Sequence, residues 1–106
     1  MLIVASHLSN LLGLKSEKKV YKYLLSNNIK GQRGQHCDCP IANALKQDGF
    51  KLVRVDGRYI TGYRYDDHYE LGIMTPVHIR NFIGHFDSGK YSDLSDEPLC
   101  AAGDTV

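Results

Sequence analysis

Tryptophan is absent, cysteine and proline number three each, and 13 basic residues nearly cancel 12 acidic ones in a chain of 106 residues. Each shortage removes a class of explanation. A net charge of +1 supplies no field that would draw the whole protein to nucleic acid or repel it from acidic surfaces. No apolar run approaches the ~20 residues of a membrane-spanning helix, so no membrane partner is expected. The opening MLIVASHLSNLL has neither the basic segment nor the cleavage site of a secretory signal, which makes a reducing cytoplasm the expected location. Cys37 and Cys39 stand too close for a comfortable bridge and Cys100 stands alone, so no disulfide framework is expected.

What is present is ordinary for a globular domain, with 42% hydrophobic and 24% charged residues. The length suits one modest core. Residues 1–94 read as that single domain, and the small, acidic and polar residues 95–106 read as a flexible tail. Seven tyrosines are an excess, and much of it falls between Tyr59 and Tyr69.

Ile3, Val4, Leu8, Leu11 and Leu12 have helical spacing that Gly13 can end. Ser16 is a good N-cap for a second helix, with Glu17 suited to its dipole and Val20, Tyr21, Leu24 and Leu25 as its buried stripe. Asn27, Asn28 and Gly31 close it, and Ile29 turns back toward the core. This pair has the look of a helix-turn-helix, with Lys15, Lys18, Lys19 and Lys22 along the second helix. An αα-hairpin with a solvated lysine face accounts for the same pattern and is preferred, so nucleic acid is not the favoured partner.

Pro40 suits the first turn of a third helix that Gly49 ends. Phe50 to Val55 reads as a strand, Asp56-Gly57 as a tight hairpin turn, Arg58 to Tyr63 as the return, and Tyr69 to Met74 as a third strand. Thr75-Pro76 reads as a capping residue with proline opening the last helix, whose core face would be Val77, Ile79, Phe82, Ile83 and Phe86. Tyr91 and Leu94 would clip the chain back onto the body. The expected class is α+β, in the order α-α-α-β-β-β-α, with helices packed on one face of a three-stranded antiparallel sheet.

The chemistry concentrates in Gly31 to Leu45, GQRGQHCDCPIANAL. Pro40 keeps Cys39 extended at the N-cap, where a helix dipole lowers a thiol pKa. Cys39 is therefore a candidate nucleophile with His36 as its local base, or else a small buried plug. The use of threonine at the matching place before Pro76 makes the cysteine conspicuous. His36, Cys37 and Cys39 are soft metal ligands, but a structural zinc site needs a second ligand pair, so no metal or other cofactor is assigned. Gly31, Arg33 and Gly34 ahead of a helix start suit a phosphate or carboxylate. Tyr59 and Tyr63 share one face of a strand with Thr61 and suit a stacking or protein-binding surface.

The stretch Ile29 to Leu45, followed by Phe86-Asp87-Ser88-Gly89-Lys90-Tyr91-Ser92-Asp93-Leu94, resembles a group of small uncharacterised proteins of actinobacteria and their phages. The likeness rests on an arginine-glycine loop, a Cys-Pro-x-Ala helix start and a Phe-Asp-x-Gly-x-Tyr segment. His36, Cys37 and the N-terminal helix pair depart from it. It implies a compact domain built around Cys39-Pro40, of phage or mobile-element origin.

The leading expectation is a small cytosolic binding protein. It would hold an anionic small molecule or a protein partner with Gly31, Arg33, Gly34, Cys39, Tyr59 and Tyr63. The alternatives are a cysteine-dependent enzyme using Cys39 and His36, and a helix-turn-helix DNA-binding module.

Overall fold

The computed structural model describes residues 7–95. Four helices and three strands follow one another as α1 (His7–Gly13), α2 (Glu17–Ser26), α3 (Pro40–Gln47), β1 (Lys51–Val55), β2 (Tyr59–Arg64), β3 (Tyr69–Met74) and α4 (Val77–Asp87). A 3₁₀ turn at Ser92–Leu94 follows. The strands form an antiparallel meander in the order β1-β2-β3. The α+β class and element order are those the sequence implies. Ile3, Val4 and the tail from residue 96 lie outside the described residues. No helix among the described residues is long and apolar enough to cross a membrane.

Local signals fix most element limits. Ser16 Oγ accepts from Lys19 N–H at 3.3 Å, and Asn28 ends α2 in the left-handed region at φ 56°. Ile29 then donates its N–H back to Leu24 O and is 1% exposed. Gly49, at φ +97°, supplies the left-handed residue just past α3. The N-terminus of α1 is closed from a distance: Asp48, the C-cap of α3, accepts from His7 N–H and Leu8 N–H, each at 2.9 Å.

One core joins all layers, drawing Leu11, Val20, Leu24, Ile41, Leu45, Val53, Val55, Ile60, Leu71, Ile79, Phe82 and Phe86 into a single cluster. Alternation along β2 sends Ile60 and Gly62 inward and Tyr59 and Thr61 outward. Among the described residues no helix covers the opposite face of the sheet. α1 packs chiefly on α3 and α2 chiefly on α4, while His7 and Asn10 of α1 reach the Tyr23 hydroxyl of α2 at 2.6 and 3.1 Å. Lys18, Lys19 and Lys22 lie on the solvent side of α2.

Four local expectations are corrected. Leu25, expected in the buried stripe of α2, is 43% exposed. Val77 is 57% exposed and is not part of the α4 core face. Thr75 does not cap α4; Pro76 is the N-cap, and the buried Thr75 hydroxyl donates to Asp56 O at 2.8 Å. The contrast between a threonine cap and a cysteine cap therefore has no basis. The β1–β2 hairpin forms, but Gly57 is not among the left-handed residues. Asp56 holds the turn instead, its Oδ1 accepting from Arg58 N–H at 2.7 Å and Tyr59 N–H at 2.8 Å. These two bonds keep its carboxyl below the usual range.

Candidate functional site

The loop ahead of α3 is closed on itself. A Cβ on Gly31 would stand 2.4 Å from Asp38 O and from Pro40 N, so this glycine permits backbone to cross backbone. Its N–H donates to Leu94 O at 2.9 Å, and it pairs with Ser95 as a single parallel bridge. Asn43 Nδ2 ties the two ends of the loop together, donating to Lys30 O at 2.7 Å and Asp38 O at 3.1 Å. Gly31 supplies close approach, not flexibility.

Arg33 is turned inward to the C-terminal end of α4. Its Nε donates to Phe86 O at 3.0 Å and its Nη2 to Gly89 O at 3.4 Å, with the guanidinium 5.4 Å from the Phe86 ring centre. A cation there also meets the negative end of the α4 dipole. Gly34, at φ +71°, donates its N–H to Asp87 Oδ1 at 2.8 Å. The arginine-glycine loop and the Phe-Asp-x-Gly segment are thus two halves of one clasp. Tyr91 completes it, stacked on Tyr21 at 4.7 Å and on Phe82 at 5.2 Å, with its hydroxyl donating to Glu17.

Cys39 sits at the α3 N-cap as its neighbour Pro40 requires, with Sγ accepting from Ala42 N–H at 3.4 Å. The expected fall in its pKa is reversed. The side chain is 4% exposed, and burial pushes the thiol up to about 11 against the lowering effect of the Ala42 and Ile41 N–H groups. The Asp87 carboxylate adds to the rise. His36 is exposed, and its backbone oxygen accepts from Val55 N–H at 2.9 Å. The other histidines bond elsewhere: His7 to Tyr23 and Gln47, His68 to Tyr63, His78 to Leu11 O and His85 to Glu17. Cys37 faces solvent while Cys39 faces the core. Among the described residues no three histidine, cysteine or acidic side chains converge as a metal cluster would.

The helix-free face of the sheet is the surface that remains. Register sets its rows as Tyr59 beside Met74, then Arg54-Thr61-Gly72, then Lys51-Tyr63-Glu70. The small Thr61 and Gly72 of the middle row leave an open depression of about 570 Å³, edged by Leu52, Tyr63 and Glu70. Three apolar side chains on or beside it are bare: Leu52 is 76% exposed, Met74 75% and Tyr59 54%. Tyr63 packs edge-on against Tyr65, their centres 4.7 Å apart, and its hydroxyl meets His68 Nδ1 at 3.1 Å. Two of the residues singled out from sequence, Tyr59 and Tyr63, therefore lie on this face. Gly31, Arg33, Gly34 and Cys39 belong to the clasp. Leu52 and Met74 escaped sequence reasoning, because nothing in FKLVRV or GIMTP distinguishes an outward apolar residue from an inward one.

Leu52 is also strained. It lies where the β1–β2 register slips between Lys51 and Arg54, and its φ is 54°. Left-handed backbone costs a Cβ-bearing residue roughly 1–2 kcal/mol, and asparagine and histidine carry that cost more easily than leucine. Asn28 and His68 occupy two of the other such positions.

No family model matches this chain, and neither the curated proteins nor the solved structures yield a match.

Proposed function

We propose that the protein is a non-catalytic binding module that recognises a protein partner across the helix-free face of its sheet. The observation that carries this reading is Leu52. An aliphatic side chain there contributes no core packing, occupies a backbone conformation it disfavours, and is nevertheless presented to solvent. Strain with no return in stability points to a role outside the fold. The same face carries Tyr59, Tyr63, Met74 and Arg54, of types enriched at the centres of protein interfaces. Lys51 and Arg54 outnumber Glu70 among the outward charges of the sheet, so the complementary surface is apolar with acidic groups at its border. An exposed leucine and methionine favour a protein over a small anion or a nucleic acid strand. The loop at Arg33 and Cys39 takes the supporting role of holding α3 and α4 behind the sheet.

The test compares capture by the wild type with capture by Leu52→Asn and Thr61→Arg in an extract of the source cells. Leu52→Asn relieves the backbone and removes the apolar contact; Thr61→Arg fills the depression. A partner retained by the wild type and lost by both variants, with Leu52→Asn melting no lower than wild type, is the expected result. Equal capture by all three, or capture by none, would refute the reading.

A further inference from the structure

The two edges of the sheet are finished differently. β1 carries the irregularity at Leu52 and the cations Lys51 and Arg54, and its Val55 N–H is taken by His36 O at 2.9 Å. These are the devices by which natural proteins keep an edge strand from pairing with another chain. β3 has no irregularity and no cation, and Glu70 is its one charge. It runs in unbroken register from Tyr69 to Met74 and contains neither proline nor lysine.

Which backbone groups lie open on β3 follows from the ladder. Thr75 N–H donates to Arg58 O, continuing the register in which Ile60 faces Ile73 and Gly62 faces Leu71. Antiparallel strands turn alternate residues toward alternate neighbours. Tyr69, Leu71, Ile73 and Thr75 therefore bond to β2, and the N–H and C=O groups of Glu70, Gly72 and Met74 point away from it. No other described segment donates to them or accepts from them.

We propose that two copies of the chain pair through β3, antiparallel and about a dyad at Gly72, into a six-stranded sheet with three strands from each copy. This inference does not rest on the reading of the helix-free face, though Met74 and the irregularity at Leu52 enter both. A strand paired with itself must satisfy its own charges, and this register does so. Gly72 meets Gly72 of the second copy with no side chain between them. Glu70 meets the exposed Met74 of the second copy, so no like charges lie opposite. All three outward residues on each copy bond, and Leu71 and half-buried Ile73 face each other across the join on the helix-covered side. A dyad at Glu70 would instead oppose two carboxylates. The twofold axis also closes the assembly at two copies.

The full chain should sediment as a concentration-dependent dimer in analytical ultracentrifugation. Met74→Glu, at an exposed position, leaves the monomer folded and sets the new carboxylate against Glu70 of the other copy, twice in each dimer. The dissociation constant should rise by roughly ten-fold or more. Adding Glu70→Lys to Met74→Glu opposes unlike charges and should restore the dimer. Gly72→Pro removes the central donor from both copies and should leave a folded monomer by circular dichroism. A wild-type chain that stays monomeric throughout overturns the proposal. So does a dimer that Met74→Glu leaves unchanged, or a double variant that fails to recover it.

Discussion

Thiol chemistry gives the sharpest division between a reactive Cys39 and a packed one. Burial shifts its pKa from an ordinary value near 9 to about 11. At pH 8 that leaves roughly a thousandth of the side chain as thiolate, against about a quarter for a free thiol of pKa ~8.5. A side chain only 4% exposed must also wait for the helix start to open before a reagent can reach it. In a chain carrying Cys37→Ser and Cys100→Ser, iodoacetamide should therefore label Cys39 at least ~100-fold more slowly than it labels Cys37 in the reciprocal variant. The same shift has a thermodynamic face. A thiol held protonated by the fold contributes stability that is complete below the unfolded pKa. It is lost as pH rises toward the folded one. Two units correspond to about 2.7 kcal/mol lost between pH 9 and 11. Urea unfolding of wild type and Cys39→Ala across that range should show a steeper alkaline decline in the first, the decline common to both coming from Tyr91 and Tyr21, whose pKa values the fold also raises. Labelling of folded Cys39 within about ten-fold of Cys37 would refute the argument and reopen the nucleophile reading.

Gly31→Ala should cost about 3 kcal/mol, the upper end of overpacking, because every atom within 2.5 Å of the added Cβ is backbone; thermal melting reads it, with the unobstructed Gly13→Ala as control. Arg33→Lys keeps the charge but loses the fork that reaches Phe86 O and Gly89 O, and should lose about 1–2 kcal/mol by urea unfolding; full stability with lysine would show that the fork does not matter. Burial raises the Glu17 pKa, but the bonds from Tyr91 and His85 outweigh it and hold the carboxyl below 4.5. Its stabilisation is thus present above that value and lost as pH falls through the folded pKa. Glu17→Gln should flatten that acid limb of a stability–pH curve, and an unaltered limb would assign acid sensitivity to other carboxylates.

Features governed by neighbouring residues were legible in the sequence. Ser16 before Glu17, Pro40 with Gly49, and the meander punctuated at Asp56-Gly57 all announce themselves within a few positions. Misreadings arose where the deciding partner lies far along the chain. Thr75 has the residue type of a cap, yet its hydroxyl is spent on Asp56 O across the sheet. Arg33 has the residue type of an anion ligand, yet carbonyls 53 and 56 residues away engage it. At Cys39 the local dipole argument held in direction, since Ala42 and Ile41 N–H groups do lower its pKa, and lost in magnitude to burial. The cluster of Glu17, His85 and Tyr91 gave no sequence signal, because its members approach only when α2, α4 and the segment after α4 are assembled. Leu52 was hidden for another reason: a slip in strand register depends on pairing that periodicity does not encode.

The clasp also sets the order in which the native state can be completed. Synthesis proceeds from the N-terminus, and α3, the sheet and α4 emerge before the residues that close the loop. Until Leu94 is free to accept the Gly31 N–H and bury its own side chain, the crossing of Gly31 with Asp38-Cys39-Pro40 lacks its outer brace. A nascent chain halted after Tyr91 has every named helix and strand and still holds an unlatched helix start. Productive folding is therefore tied to Leu94 and Ser95, which follow every named helix and strand along the chain.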